Sequence, residues 1–183
     1  MTYQIRQGTI EDLEEITRVE ADCFPAAEAA DREAFQKRLT AFPECFFVAE
    51  TDGEDGREII GFINGAAVDE KTICDEMFED TGWHKRDGRY QSIFGLDVIK
   101  KWRRQGVAAA LMEHMIENAR QKGRDGLILT CKDRLIHYYE KFGYRNLGVS
   151  ASVHGGAVWY DMILEFSAQK TRCPEPVSFE KGW

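Results

Sequence analysis

Apolar and polar residues recur along the first part of the chain with the spacings of one strand and two helices. Residues 3–6 alternate as a short strand does, and a helix is expected to begin at Thr9, with Asp12 completing a capping box. A second helix is expected to begin at Asp31 and to end before Pro43. The apolar stripes comprise Ile10, Leu13, Ile16 and Val19 in the first helix and Ala34, Phe35 and Leu39 in the second.

The middle of the chain is rich in β-forming residues. Residues 45–50 and 59–68 flank the turn sequence Asp-Gly-Glu-Asp-Gly at 52–56, which predicts an antiparallel hairpin. Residues 69–90 are mostly charged and aperiodic, so they predict a surface excursion with at most a helical turn. A further strand is expected over residues 92–99.

The remaining segments alternate between helix and strand. A helix over residues 107–122 is closed by Gly123, a strand follows, and Asp133 begins another helix before two final strands. This order of elements predicts an α/β fold with one mixed central sheet and helices on both of its faces. We expect one domain over residues 1–166 and a C-terminal tail over residues 167–183.

Composition narrows the classes of protein that fit. Of the 183 residues, 43% are hydrophobic and 31% are charged, which supplies one sizeable core and excludes a disordered or low-complexity chain. The net charge of -8 has the wrong sign for a nucleic-acid binder. A negative field attracts cationic small molecules, although an acidic surplus is also an ordinary means of staying soluble. We therefore expect no nucleic-acid partner.

Cysteine and hydropathy patterns bear on location. The five cysteines are an odd number, so they do not suggest a disulfide framework, and this favours a reducing compartment. Their spacing is not that of metal ligands, so no metal site is expected. No apolar run reaches the length of a signal peptide or a membrane span. The chain is therefore expected to be cytoplasmic, with no membrane partner. His84, His114 and His154 show no ligand spacing and are expected at the surface.

The segment over residues 92–110 carries the clearest candidate chemistry. A predicted strand passes through a basic loop with Arg103, Arg104 and Gly106 straight into a helix. The first amides of a helix have no internal partner and lie at the positive end of its dipole, so such a loop can hold a pyrophosphate. Neither a Walker loop nor a dinucleotide-binding GxGxxG is present. Taken alone, this segment fits a phosphate site and an ordinary solvated helix start equally well.

Two motifs in register carry a family resemblance. The first resembles the R/Q-x-x-G-x-G/A signature of the GCN5-related N-acetyltransferases (GNAT), and it lies between a strand and a helix. The second resembles the family's Y-E-K-x-G-F motif at the end of the next helix. They are Arg103-Arg104-Gln105-Gly106-Val107-Ala108 and Tyr139-Glu140-Lys141-Phe142-Gly143-Tyr144. The resemblance covers residues 3–166 and is closest to the arylalkylamine, or serotonin, N-acetyltransferase branch.

The resemblance implies a fold, a donor and several site residues. It implies a mostly antiparallel sheet splayed open beside Leu96, Asp97 and Val98, where the pantetheine arm of acetyl-coenzyme A pairs as a pseudo-strand. The donor is acetyl-coenzyme A, the acceptor is a primary amine, and transfer is direct, in a ternary complex. Tyr139 matches the family's general acid, and the Val98 amide would polarise the thioester carbonyl. The pyrophosphate would lie on Arg103, Arg104, Gln105, Gly106, Val107 and Ala108.

The general base is left open. Ser92 and Phe94 stand where the vertebrate branch carries two histidines, so a histidine relay is in doubt. A serine hydroxyl is no base at neutral pH, but Ser92 can hold a water that relays the proton. Insect relatives suggest Glu28 as the general base in place of the histidines. An equally good interpretation is that Glu28 is only a solvent-facing carboxylate in a linker. Asp97 ranks below both because strand alternation points it to the opposite face from Ser92.

An aromatic pocket is expected for the acceptor. It would comprise Phe24, Pro25, Phe94 and Trp159, which suits an arylalkyl or hydrophobic amine. Cys131 is expected to line the cleft as a small hydrophobic residue and not as a nucleophile. Alternatives are acetylation of a polyamine, an antibiotic or a peptide amine, and a non-catalytic coenzyme A sensor. The protein is expected to be a monomer or a homodimer.

Overall fold

The computed structural model describes residues 2–53 and 56–167. Most of the predicted tail, including Trp183, lies outside the described residues. In the described part the strands are β1 (Tyr3–Gln7), β2 (Phe46–Gly53), β3 (Gly56–Asn64), β4 (Ala67–Val68), β5 (Tyr90–Ile93), β6 (Gly95–Val98), β7 (Gly126–Cys131), β8 (Arg145–Val149) and β9 (Tyr160–Glu165). The α-helices there are α1 (Leu13–Cys23), α2 (Arg32–Ala41), α3 (Glu76–Glu79), α4 (Val107–Gln121) and α5 (Ile136–Glu140).

The strands form two sheets where the sequence pattern predicts one. The first has the order β1-β2-β3-β6 and is antiparallel throughout. The second has the order β4-β5-β7-β9-β8, and its pairs are antiparallel except for the parallel pair of β5 with β7. The sheets are therefore mixed and mostly antiparallel.

A bend at Phe94 separates the two sheets. It divides the strand predicted over residues 92–99 into β5 and β6. On one side of the bend the Ser92 amide donates to the Ala66 carbonyl, and at the bend the Phe94 amide donates to the Asn64 carbonyl. The strands β5 and β7 run side by side, but within the described part of the chain β6 has no partner other than β3. The two sheets thus open between β6 and β7.

Local signals in the sequence account for several element boundaries. The predicted hairpin is present as the β2–β3 pair, with Gly53 opposite Gly56. The Asp31 carboxylate caps α2 by accepting from the Ala34 amide at 2.8 Å, and Gly123, with φ of 68°, follows the end of α4. Ile10 departs from the prediction. It is 48% exposed because a 3-10 turn precedes α1, so the buried stripe begins only at Leu13.

The larger buried cluster lies between the helices and both sheets, and a smaller one packs on the second sheet around Ile128 and Ile163. Helix α1 packs on β3 and β6, and α4 spans the opening by contacting β2, β3, β6 and β7. Phe35, which the pattern placed in the core, is fully buried with ring centroids of Phe46 and Phe62 at 6.1 and 5.4 Å. In the residues that the structure describes, no helix is long and apolar enough to cross a membrane.

Candidate active site

A cavity of about 420 Å³ opens where the two sheets diverge. Its walls come from the loop between α1 and α2, from β6 and β7, from α5 and from the segment before β9. Six of the residues predicted for the site line it. They are Phe24, Glu28, Phe94, Leu96, Tyr139 and Trp159. Side chains that are far apart in the sequence thus meet around one space.

The edge of β6 that faces the opening carries free backbone groups. Backbone groups on a strand alternate between its two edges, and the Ile99 amide donates toward β3, to the Ile60 carbonyl at 2.9 Å. The amides of Leu96 and Val98 therefore point to the other edge. The Val98 carbonyl accepts there from Arg103 Nε at 2.8 Å. This edge can pair with an extended ligand, as the sequence interpretation requires of Leu96 and Val98.

Asp97 does not share that environment. By the same alternation its backbone faces β3, where it stands opposite Phe62, and its side chain is only 1% exposed. Burial raises the pKa of the Asp97 carboxyl well above its usual range, and the negative charge of Glu20 raises it further. The Asp97 carboxyl therefore holds its proton more tightly than an exposed aspartic acid does. Its predicted contact with the cofactor has no support from this placement.

The loop before α4 has the geometry of an anion cradle. Gly106 precedes the 15-residue helix with φ of 85°, a conformation in which a side chain is strained. Arg104 adopts φ of 61°, the one positive φ at a non-glycine residue in the described chain. Within the described residues the amides from 104 to 109 have no hydrogen-bond acceptor. These amides and the helix dipole can hold a phosphate group, which fits the predicted coenzyme A loop.

Tyr139 faces the cavity from α5. Its ring packs edge-on against Tyr138 and Tyr144, with centroid distances of 5.2 and 5.9 Å. Burial raises the pKa of the Tyr139 phenol above its ordinary value, and the neighbouring Cys131 and Tyr138 contribute. The phenol is therefore protonated at neutral pH, which is the state that a general acid requires.

Glu28 is fixed at the cavity wall. Its side chain is 9% exposed, and Oε1 accepts from Lys132 Nζ at 2.8 Å, while Oε2 has no partner in the described residues. The Glu28 carbonyl lies 2.9 Å from His154 Nε2, and Lys132 Nζ lies 5.6 Å from the Trp159 ring centroid. The solvent-facing alternative for Glu28 does not describe this position. One carboxylate oxygen remains free beside the cavity.

Two other predicted residues lie away from the cavity. Ser92 is fully buried, and its hydroxyl donates to the Ala66 carbonyl at 2.7 Å. Ser92 does not line the cavity, so its hydroxyl is not placed to hold a relay water there. Pro25 is exposed outside the lining, while its neighbour Phe24 lines the cavity.

The sequence interpretation missed several polar residues of the wall, among them Glu20, Arg38 and His154. A signal for the first two was present. Glu20 follows Ile16 by four residues and Arg38 follows Phe35 by three, so each interrupts an apolar helix stripe at a position that faces the core. His154 was expected at the surface but packs on Phe78, with ring centroids 4.9 Å apart.

His84 and Cys131 are both more buried than surface residues are, and burial shifts the pKa of each. His84 was expected at the surface, but the Ala67 amide donates to its Nδ1 at 3.1 Å, and burial lowers its pKa. Cys131 lines the cavity and is buried, and burial raises its pKa to about 11. A thiol in this state is a poor nucleophile at neutral pH.

Residues 12–144 match the model of the acetyltransferase (GNAT) family. The chain belongs to this family. The match includes both sequence motifs, the open edge of β6 and Tyr139. The predicted family is therefore confirmed.

Curated relatives of the chain differ in their names. Serotonin N-acetyltransferase of Mesocricetus auratus is 27% identical over 110 residues, which cover 60% of this chain and 51% of that protein. The probable hydrolase YhcX of Bacillus subtilis is 30% identical over 173 residues, covering 88% of this chain but only 32% of that protein. The chain thus spans about half of the first relative and about a third of the second.

Solved structures share the fold. The loading GNATL domain of CurA from Lyngbya majuscula superposes with a TM-score of 0.75 at 16% identity, covering 90% of this chain and 98% of that domain. The GNAT-like decarboxylase GphF in complex with isobutyryl-CoA superposes with a TM-score of 0.73 at 20% identity, covering 88% and 98%. The predicted fold class is therefore confirmed, with two sheets in place of one.

Proposed function

We propose that the protein is an N-acetyltransferase that moves an acetyl group from acetyl-coenzyme A to the primary amine of a small hydrophobic molecule. One observation carries the proposal. Leu96, on the open edge of β6, and Tyr139 line the same cavity, so a thioester bound along that edge is brought to a proton donor. The resemblance to the arylalkylamine branch supports an aromatic amine as the acceptor.

The donor would be held by backbone groups. The amides of residues 104–109 suit its pyrophosphate, with Arg103 and Arg104 supplying positive charge. The free edge of β6 suits the amides of its pantetheine arm, and the Val98 amide can polarise the thioester carbonyl. Bound acetyl-coenzyme A would supply the activated acetyl group.

The reaction needs three proton events that named residues can serve. The ammonium loses a proton to the Glu28 carboxylate, and the free amine attacks the thioester carbonyl carbon. Glu28 passes this first proton to solvent and accepts the second proton of the nitrogen as the new C–N bond forms and the C–S bond breaks, while Tyr139 Oη protonates the departing thiolate. The second proton then returns through solvent to the Tyr139 phenolate. The products are an amide, coenzyme A thiol and one released proton.

The acceptor wall suits a cation with an apolar body. Phe24, Phe94 and Trp159 provide aromatic surface, while Glu20 and Glu28 provide carboxylates at the same cavity. Acetylation of a polyamine or a peptide amine remains the alternative within this chemistry. A non-catalytic coenzyme A sensor is the alternative outside it, because the histidines of the vertebrate branch are missing.

Thiol release from acetyl-coenzyme A tests the proposal. We expect release that depends on the amine with tryptamine or phenethylamine, and slower release with spermidine or a lysine peptide. Binding of acetyl-coenzyme A without release in the presence of any of these amines would favour the sensor. Fast release with only spermidine or the peptide would show that the acceptor is not aromatic, while the proposed transfer reaction would still hold.

A further inference from the structure

Arg38 of α2 is a buried cation with unused donors in the wall of the cavity. The residue is 4% exposed, and within the described residues its guanidinium has no carboxylate within ion-pair distance. Nη1 donates to Asn64 Oδ1 at 3.2 Å, Nη2 donates to the Phe78 carbonyl at 2.9 Å, and Nε has no partner there. A guanidinium carries five N–H donors, so most of its capacity is free.

The guanidinium nevertheless keeps its charge. Burial lowers the pKa of Arg38 to about 10, and the negative charges of Glu20, Asp31 and Asp97 act in the opposite direction. The Phe94 ring, with its centroid 5.0 Å from Arg38 Cζ, adds a cation–π contact. A buried charge without an anionic partner is costly. An anionic group of a ligand would remove that cost and use the free donors.

A second buried carboxylate belongs to the same wall. Glu20 of α1 is 6% exposed, its Oε1 accepts from the Ala30 amide at 2.8 Å, and its side chain is in contact with the Asp97 carboxyl. Glu20 is close enough to Arg38 for its charge to act on the guanidinium. Glu28 pairs with Lys132 through Oε1 at 2.8 Å, while its Oε2 has no partner in the described residues. The wall therefore combines the unpaired cation of Arg38 with carboxylates of Glu20 and Glu28.

We propose that the acceptor is an amino acid, whose carboxylate binds Arg38 and whose ammonium group binds beside Glu20 and Glu28. This inference rests on the proposed function and narrows its substrate class. An amino acid places its two charges one carbon apart, as a wall with adjacent free groups of both signs requires. The aromatic rings of Phe24 and Trp159 suit an aromatic or otherwise apolar side chain. An arylalkylamine would leave the guanidinium without its anion.

A structural role for Arg38 is the competing explanation. Its bonds to Asn64 and to the Phe78 carbonyl tie α2 to β3 and to α3. Such a role would make Arg38 important for every acceptor to the same extent. The difference between acceptors with and without a carboxylate therefore separates the two explanations.

Three acceptors with the same ring and the same amine isolate the carboxylate. They are L-phenylalanine, L-phenylalaninamide and phenethylamine, each measured by thiol release from acetyl-coenzyme A. We expect kcat/KM for L-phenylalanine to exceed both other values by at least about tenfold, as loss of a hydrogen bond to a charged group predicts. In R38Q this preference disappears, so the ratio of kcat/KM for L-phenylalanine to kcat/KM for phenethylamine falls to about one.

A matched control lies on the same helix. Arg32 is exposed, pairs with Glu14 at 2.7 Å and does not line the cavity, so R32Q removes an arginine of α2 outside the site. R32Q should keep the preference for L-phenylalanine. If R38Q does not fold, the three-acceptor series on the unaltered protein and on R38K, which keeps the charge, still decides.

Three outcomes would overturn the inference. If kcat/KM for phenethylamine equals or exceeds that for L-phenylalanine in the unaltered protein, the acceptor needs no carboxylate. An equal loss for all three acceptors in R38Q assigns Arg38 a structural role. If acetyl-coenzyme A binds but no amine of the wider panel causes thiol release, the proposed function itself fails. Transfer to amines that lack a carboxylate would instead contradict only the inference of an amino acid acceptor.

Discussion

The two sides of the cavity are built in different ways. The donor side consists of the open edge of β6 and residues 103–108, and it offers mainly backbone amides. The acceptor side consists of Glu20, Glu28, Arg38 and the rings around them, and it offers side chains from several elements. The proposed donor, which the family shares, would be held mainly by backbone amides. The proposed acceptor, which varies between relatives, would be selected by side chains.

The difference also appears in exposure and charge. Loop residues 103–106 are exposed to solvent and basic, whereas Glu20 and Arg38 are almost fully buried. Charges on the acceptor side are thus desolvated, and each pairing there has a larger effect on affinity than one at the surface. Substitutions on the two sides should therefore produce different kinetic signatures.

Tyr139 lies where the two sides meet, and its loss should have the largest effect. Y139F removes the proton donor to the thiolate, so kcat should fall by about 10²- to 10⁴-fold with the Kd for acetyl-coenzyme A unchanged. Steady-state kinetics and calorimetric titration measure the two quantities. Y138F is the matched control, because Tyr138 is the next residue and does not line the cavity. A fully active Y139F would remove the general acid.

Glu28 should give the next largest effect, confined to the acceptor side. E28Q removes the carboxylate that takes the ammonium proton but keeps an acceptor for Lys132. We expect kcat/KM for the amine to fall by about 10²-fold near neutral pH and its rising limb to flatten, with KM for acetyl-coenzyme A unchanged. The pH profile of kcat/KM provides the measurement. If the profile of E28Q superposes on that of the unaltered protein, the base lies elsewhere.

Gly106 tests the donor side alone. G106A puts a side chain at φ of 85°, so the loop amides should shift and KM for acetyl-coenzyme A should rise by about three- to tenfold, as the loss of one hydrogen bond predicts. Kinetics with acetyl-coenzyme A varied at saturating amine measures this change.

Gly123 supplies the control for this substitution. It lies beyond the other end of α4 with φ of 68°, and at both positions an added Cβ would meet nothing within 4 Å. G123A should therefore cost a similar free energy of unfolding and leave KM for acetyl-coenzyme A unchanged. Equal KM values in the two variants would mean that the loop does not bind the donor.

The proposed donor side could be predicted from the sequence because its proposed role depends on a short, continuous segment. Gly106 is needed for its own backbone angle, and the amides of α4 follow from the helix start, so a local motif encodes the cradle. The family resemblance implied the open edge of β6, but the residue pattern predicted one continuous strand over residues 92–99 and gave no sign of the bend at Phe94 that creates this edge. The bend depends on which strand pairs with β5 and which with β6, and such long-range pairing leaves no local signal.

The acceptor side was only partly predictable because distant elements assemble it. Tyr139 came from a motif and Glu28 from a loop, but the choice between Glu28 and Ser92 needed the buried bond of Ser92 to the Ala66 carbonyl. Glu20 and Arg38 could have been found as charged residues within apolar helix stripes. Their unused atoms become visible only when both helices are placed around one cavity.

Cys131 should give the smallest effect, and it tests whether transfer is direct. Its thiol lines the cavity, but its pKa of about 11 leaves about one part in 10⁴ as thiolate near pH 7. C131A should retain kcat within about threefold, since only a small, buried, apolar contact is lost. Iodoacetamide should label the unaltered thiol slowly at neutral pH, and faster as the pH approaches 11. An acetylated enzyme trapped without amine, absent in C131A, would establish an acyl-enzyme and move the chemistry to the acceptor wall.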